Sequence, residues 1–150
     1  WKKSARQQKS KRKKSIISVG RIYVAFSSIK KIVEQVNQTM KYSESLKKNR
    51  DFQHVYKNGT SYANKYLVMY ILKNQTLKNR LGISVSKKVG NSIVRHRLTR
   101  LIREGYRLQE DRFGCGLDIV VIARIGAKGK NFRDIESAML HLGRLHDIID

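Results

Sequence analysis

The run Arg80-Leu81-Gly82-Ile83-Ser84-Val85-Ser86-Lys87-Lys88-Val89-Gly90-Asn91 passes into Ser92-Ile93-Val94-Arg95-His96-Arg97-Leu98-Thr99-Arg100-Leu101-Ile102-Arg103-Glu104-Gly105-Tyr106-Arg107, and its hydrophobic period changes midway. From Arg80 to Ser86 the period is two, which is the signature of a strand with one buried face. Leu81, Ile83 and Val85 point to a core, while Gly82, Ser84 and Ser86 face outward with almost no bulk. Beyond Asn91 the period is helical: at ~100° per residue, Val94, Leu98, Leu101, Ile102 and Gly105 form one apolar stripe. His96, Arg100, Arg103 and Arg107 fall opposite, and Arg95 and Arg97 border the stripe. Asn91 or Ser92 is a competent helix cap, and Gly90 lets the chain leave the strand sharply. Lys87 and Lys88 are thereby held near free helix N-terminal amides, which favour anions. Glu104 is the lone acid of the helix, so intrahelical pairing leaves most of the arginines available for phosphate.

Outward from this unit, Tyr66–Leu72 reads as a strand, with Tyr66, Val68 and Tyr70 on one side. Polar residues Lys73 to Asn79 make the turn into the second strand, and Asp118–Ala123 is a third. A short helix is expected from a cap at Asn49 through Tyr56, stopped at Asn58-Gly59, which stacks Phe52 and Tyr56 at i and i+4. The segment Asp134–Leu145, with Ile135, Ala138, Met139, Leu142 and Leu145 at helical spacing, should close the core.

The chain has 150 residues, a length suited to one domain, and carries 33 Lys or Arg against 11 Asp or Glu for a formal charge of +22. Such an excess points to a polyanionic partner. Residues 1–39 hold eleven bases and one acid, Glu34, and read as a flexible basic extension or appendage that includes an apolar helical pattern from Ile22 to Val36. Residues 40–150 carry the globular pattern. Arg21, Lys30 and Lys31 interrupt the N-terminal apolar run, which falls short of the ~20 residues that span a bilayer. A single cysteine, Cys115, excludes an internal disulfide and suits a reducing compartment. The expected location is the cytoplasm, or an organelle if residues 1–39 act as a transit peptide.

Catalytic chemistry is not evident in the side chains. His54, His96, His141 and His146 lack metal-type spacing with acids or cysteine, and Cys115 sits between Gly114 and Gly116 with no base nearby in sequence. Neither a catalytic nor a metal-binding set is expected on the protein.

From Lys47 to Leu145 the chain resembles the bacterial ribonuclease P protein subunit. The resemblance is carried by Asp51-Phe52 with Tyr56 and Gly59, by Arg80 through Asn91, by Arg95-His96-Arg97 with Arg100-Leu101-Ile102-Arg103-Glu104, and by Asp118-Ile119-Val120-Val121-Ile122-Ala123-Arg124. His96 stands where that family's arginine signature has Asn, and Thr99 where it often has Lys. The resemblance implies an α+β fold, a small α/β sandwich: a four-stranded sheet, a short N-terminal helix, an Arg-rich crossover helix and a C-terminal helix. It implies a subunit that assists a catalytic RNA in the Mg²⁺-dependent endonucleolytic removal of the 5-prime leader from precursor tRNA. The Mg²⁺ is bound mainly by the RNA, the protein alone is inactive, and neither a membrane nor a further protein partner is needed. Site residues carried over are Lys87, Lys88, Asn91, Arg95, His96, Arg97, Arg100 and Arg103 for the catalytic RNA, and Phe52, Tyr56, Tyr70, Ser84 and Ser86 for the leader. Flat rings stack on unpaired bases of any sequence. The alternative is a structural RNA-binding protein of ribosomal type with no part in processing, which would have no use for an aromatic cleft.

Overall fold

A computed structural model describes residues 43–149. The basic extension and its apolar helical pattern lie outside the described residues. The chain forms β1 (Ser43–Ser45), α1 (Asn49–Asn58), β2 (Thr60–Ala63), β3 (Leu67–Lys73), β4 (Asn79–Val85), α2 (Ser92–Gln109), β5 (Leu117–Ala123) and α3 (Phe132–Leu145), with 3-10 turns at Glu110–Arg112 and Ile125–Ala127. The strands make one mixed sheet in the order β1-β4-β5-β3-β2. β4 is parallel to β5 and joined to it through α2, whereas β3 is antiparallel to both β5 and β2.

The central strand β5 is buried on both faces, which is why it is an almost unbroken apolar run. One face carries Leu67, Met69, Ile71, Leu81, Ile119 and Val121 against Leu98, Ile102 and Tyr106 of α2 and Ile135, Met139 and Leu142 of α3. The other carries a smaller cluster of Leu46, Val55 and Val120, flanked by Phe52, Tyr56, Tyr70, Leu72 and Ile122, under α1. The α+β class stands, with five strands in place of four.

The added strand, β1, pairs parallel with β4 from Ser43↔Asn79 to Ser45↔Leu81. Ser-Glu-Ser has no apolar alternation, so nothing in its composition marks a strand. It is held from outside its own sequence, by Ser43 Oγ against Tyr106 Oη at 2.8 Å and by Lys78 Nζ donating to Glu44 Oε1 at 2.9 Å. Tyr106, absent from the stripe read off the helix, is wholly buried and also accepts from Asn79 Nδ2 at 3.3 Å.

Two local expectations are corrected, and a third, the stop at Gly59, is met. Asn49 is the first helical residue of α1 and not its cap; Lys48 occupies that position and makes no side-chain capping bond. Gly59 does end α1, but with φ −85 and ψ 161, so left-handed backbone is not the reason. A Cβ there would lie 2.6 Å from the Val55 carbonyl oxygen and 2.8 Å from that of Ile71, so the turn into β2 requires a bare backbone. Tyr66 precedes β3 and packs against the α2/α3 core, apart from Val68 and Tyr70 on the α1 side.

Candidate nucleic-acid interface

The register across the sheet decides which side chains share a surface. On the α1 face, Arg80 of β4, Asp118 of β5 and Leu72 of β3 form one row, Gly82, Val120 and Tyr70 the next, and Ser84, Ile122 and Val68 the third. The first row is locked. Arg80 Nε donates to Asp118 Oδ1 at 2.7 Å, Arg80 Nη2 pairs with Asp118 Oδ2, and Asn74 Nδ2 donates to Asp118 Oδ1 at 2.8 Å. Asp51, in the first turn of α1, approaches Arg80 Nη1 at 3.6 Å and ties the helix to this corner.

The second row takes α1 onto the sheet. Gly82 was expected to face outward, but it is buried: a Cβ there would meet the Phe52 ring at 2.8 Å and Leu46 at 3.1 Å. Phe52 is therefore first a packing residue, still partly exposed. Tyr56, one turn on, lies 6.3 Å from Phe52 and 5.1 Å from Tyr70 between ring centroids, the latter pair edge to face. Burial pushes the Tyr56 phenol above its ordinary range, against a hydrogen bond with Ser84 that pulls it down, so it is neutral at physiological pH. Phe52, Tyr56, Tyr70 and Ser84 come together as one aromatic corner.

The third row lies at the edge of this corner. The small side chain of Ser84 leaves it open, and the partly exposed Ile122 and Val68 supply an apolar floor that periodicity alone does not reveal. The signal was available only through register, because both residues look like ordinary strand apolars. Ser86 is not part of this floor: it falls one residue past β4, exposed, and its carbonyl accepts from Val89 N at 3.1 Å in the turn to α2.

That turn carries the exposed Lys87 and Lys88, pinned by Val89, which is 2% exposed. Asn91 caps α2, its Oδ1 accepting from Val94 N at 3.1 Å. With Leu98, Ile102, Gly105 and Tyr106 buried, His96, Arg97, Arg100 and Arg103 are exposed on the opposite side. None of these three arginines has a carboxylate within 4.0 Å among the described residues. Ile93, 76% exposed and four residues before Arg97, adds an apolar surface the sequence reading passed over.

Arg95 is half-buried, and its Nε is sequestered with no hydrogen-bond partner among the described residues. Leaving such a donor unmet costs about 1–3 kcal/mol. Thr99 donates its hydroxyl to the Arg95 carbonyl at 2.9 Å, which occupies that hydrogen within the helix. Arg107, placed with the exposed arginines by helical spacing, is withdrawn: its Nε and Nη2 donate to Glu104 Oε2 and Oε1 at 2.9 and 2.7 Å. The pairing lowers the Glu104 carboxyl below its usual range and raises the Arg107 guanidinium.

The four histidines stay apart from any acid cluster. His54 bonds Asn58 within α1, His96 and His141 are exposed, and the His146 Nε2 lies 2.9 Å from the Met69 carbonyl. Among the described residues no group of three or more His, Cys, Asp or Glu is placed to hold a metal ion. What the surface offers is a sheet face with rings and an apolar floor, leading through Ser86, Lys87 and Lys88 into an arginine-bearing helix face. This suits single-stranded bases on one side and phosphates on the other.

The Ribonuclease P family model matches residues 40–145. The ribonuclease P protein component of Lachnoclostridium phytofermentans is 64% identical over 107 residues, covering 71% of this chain and 92% of that protein. The corresponding Clostridioides difficile protein is 51% identical over 107 residues, covering 71% and 94%. Among solved structures, the Staphylococcus aureus RNase P protein superposes with a TM-score of 0.67 at 38% identity, covering 72% of this chain and 99% of that one.

Proposed function

Since the chain belongs to the ribonuclease P protein family, as the protein component of a tRNA-processing holoenzyme with an RNA partner, we propose that its two surfaces divide the work of recognition. The helix face with Lys87, Lys88, Asn91, Arg95, His96, Arg97, Arg100 and Arg103 binds the catalytic RNA. The corner formed by Phe52, Tyr56, Tyr70 and Ser84, with Ser86 at its mouth, takes the single-stranded leader of precursor tRNA. The observation that carries this reading is the cluster of three rings beside the open Ser84-Ile122-Val68 row. Val68 and Ile122 join the proposed leader site. A structural RNA-binding protein of ribosomal type is not favoured by the family match.

No step of cleavage is assigned to a protein side chain. Mg²⁺ would be held mainly by the RNA, where it would supply the activation of water, and the described residues bring no group of three or more His, Cys, Asp or Glu together for it. The protein's contribution is positional and electrostatic: its cations replace part of the ions otherwise needed to offset phosphate repulsion between the two RNAs. The place of action is the bacterial cytoplasm, and no helix among the described residues is long and apolar enough to cross a membrane.

Reconstitution tests the proposal. The protein with a ribonuclease P RNA should cleave precursor tRNA at Mg²⁺ concentrations where the RNA alone is slow, and the protein alone should not cleave it. Cleavage at the same site by protein free of RNA, surviving prior nuclease treatment, would sink the division of labour.

A further inference from the structure

A second concavity lies on the opposite layer of the sheet from the aromatic corner. It has a volume of about 380 Å³ and is lined by the Asn64-Lys65-Tyr66 loop and by Arg133, Ser137 and His141 of α3, among others. Tyr66 in its wall carries two ammonium groups over its ring, Lys130 Nζ at 5.2 Å and Lys65 Nζ at 5.9 Å from the centroid. Among the described residues none of Lys65, Lys130 and Arg133 has a carboxylate within 4.0 Å. Asp134 also lines the pocket, but its Oδ2 accepts from the Asn131 backbone in the capping box of α3.

The walls are pre-set by bonds that do not involve the free cations. Asn64 Oδ1 accepts from Tyr66 N and Leu67 N at 3.1 and 2.9 Å, and its Nδ2 donates to the Ala138 carbonyl at 2.8 Å, fastening the loop to α3. Arg124 Nη1 donates to the Asn64 carbonyl at 2.7 Å. Gly126 lets the turn after β5 close on the loop, since a Cβ there would sit 2.8 Å from the Lys65 carbonyl oxygen. Cations without carboxylate partners beside an aromatic ring attract a phosphate, and the ring can stack on the attached base once a lysine turns from its face to that phosphate.

We propose that this pocket is a second nucleotide-binding site, which takes a nucleotide of single-stranded RNA where a leader extends past the aromatic corner. The proposal rests on the assignment of that corner to the leader. Proximity supports it: Tyr66 lies just before β3, two residues from Val68 of the floor, on the opposite layer at the same end of the sheet. The Arg124 amide bonds the Tyr66 carbonyl at 2.9 Å, so the exposed Arg124 side chain stands at the end of the sheet that such a strand rounds. The volume also falls within the range of about 300–1,000 Å³ usual for small-ligand sites.

The test uses the reconstituted holoenzyme and precursor tRNAs whose leaders match the short and long ends of single-strand site sizes, about 4 and about 16 nucleotides. The doubly substituted Lys65→Ala, Lys130→Ala protein, and separately Tyr66→Leu, should lose affinity for the long-leader substrate by about 5-fold or more. Affinity for the short-leader substrate should hold. Tyr66→Phe keeps the ring and should bind the long leader normally. Equal losses on both leaders would mean that the patch meets the catalytic RNA or supports the fold, and unchanged binding of both would mean that the leader never reaches it; either result overturns the second site. Tyr56→Ala, run alongside, reports on the corner itself, because it should weaken both leaders. If only that variant acts, the leader assignment stands and the second site falls.

Discussion

Truncating Tyr56 to Ala tests the leader assignment most directly. The ring sits between Phe52 and Tyr70, on a half-buried part of α1, and its hydroxyl bonds Ser84. Stacking of one base on such a ring is worth about 1–3 kcal/mol, which converts to roughly a 5- to 140-fold loss of affinity for precursor tRNA. Mature tRNA has no leader, so its affinity should barely change. The fold should survive, since Val55, Leu46 and Val120 remain to hold α1 and Ala is a good helix former. The stability cost should stay below the ~3–5 kcal/mol seen for fully buried aromatic truncations. Tyr56→Phe separates ring from hydroxyl: it removes the bond to Ser84, worth about 0.5–1.5 kcal/mol of stability, and should keep precursor binding. The assay is equilibrium binding of both tRNAs to the holoenzyme, with thermal melting of the protein as the folding control. A parallel fall for precursor and mature tRNA would show that Tyr56 acts through structure or RNA assembly, and the stacking argument would be wrong.

Replacing Arg100 and Arg103 together by Ala should weaken binding to the catalytic RNA and lower the slope of log affinity against log salt by about 1 for each phosphate that is no longer neutralised; a titration over salt concentration that shows the original slope means these side chains are only solvated. Gly82→Val forces the Phe52 ring and Leu46 aside, so denaturant unfolding should show a loss of about 1–3 kcal/mol, with leader affinity falling as α1 lifts. His146 is half-buried and held neutral, its pKa lowered from 6.5 chiefly by burial and only partly restored by the Met69 carbonyl. The unfolded chain then binds the extra proton first, so stability should drop as pH falls below about 6.5 and level off below the folded-state value. His146→Gln should flatten that part of the curve of unfolding free energy against pH.

Much of the architecture was legible because it rests on local period. The strand alternation of Leu81, Ile83 and Val85 and the helical stripe of Leu98 and Ile102 place these residues against the same core that the structure shows. The exposed arginines at 97, 100 and 103 follow from the same stripe. Where the reading failed, a non-local contact decided. Gly82 looks like an outward residue until Phe52 comes down on it from α1, thirty positions earlier. Tyr66 continues the β3 alternation by composition, yet Asn64 bends the loop by accepting from the Tyr66 and Leu67 amides and so diverts that side chain to the α3 layer. Arg107 keeps its helical position but bends back to Glu104.

By itself the sequence determines the kinds of element, the charge that points to a polyanionic partner, and the buried stripe of α2, because each depends on composition or on residues close along the chain. The tertiary structure decides the rest. Parallel pairing recruits the polar Ser43–Ser45 as a fifth strand, since backbone amides beside β4 find partners whatever side chains they carry. Cross-strand register puts Ser84, Ile122 and Val68 in one row next to three rings, and so makes a binding surface from residues that are ordinary in their own segments. Period sets which way a side chain points, but only the pairing of distant strands sets which side chains stand beside it.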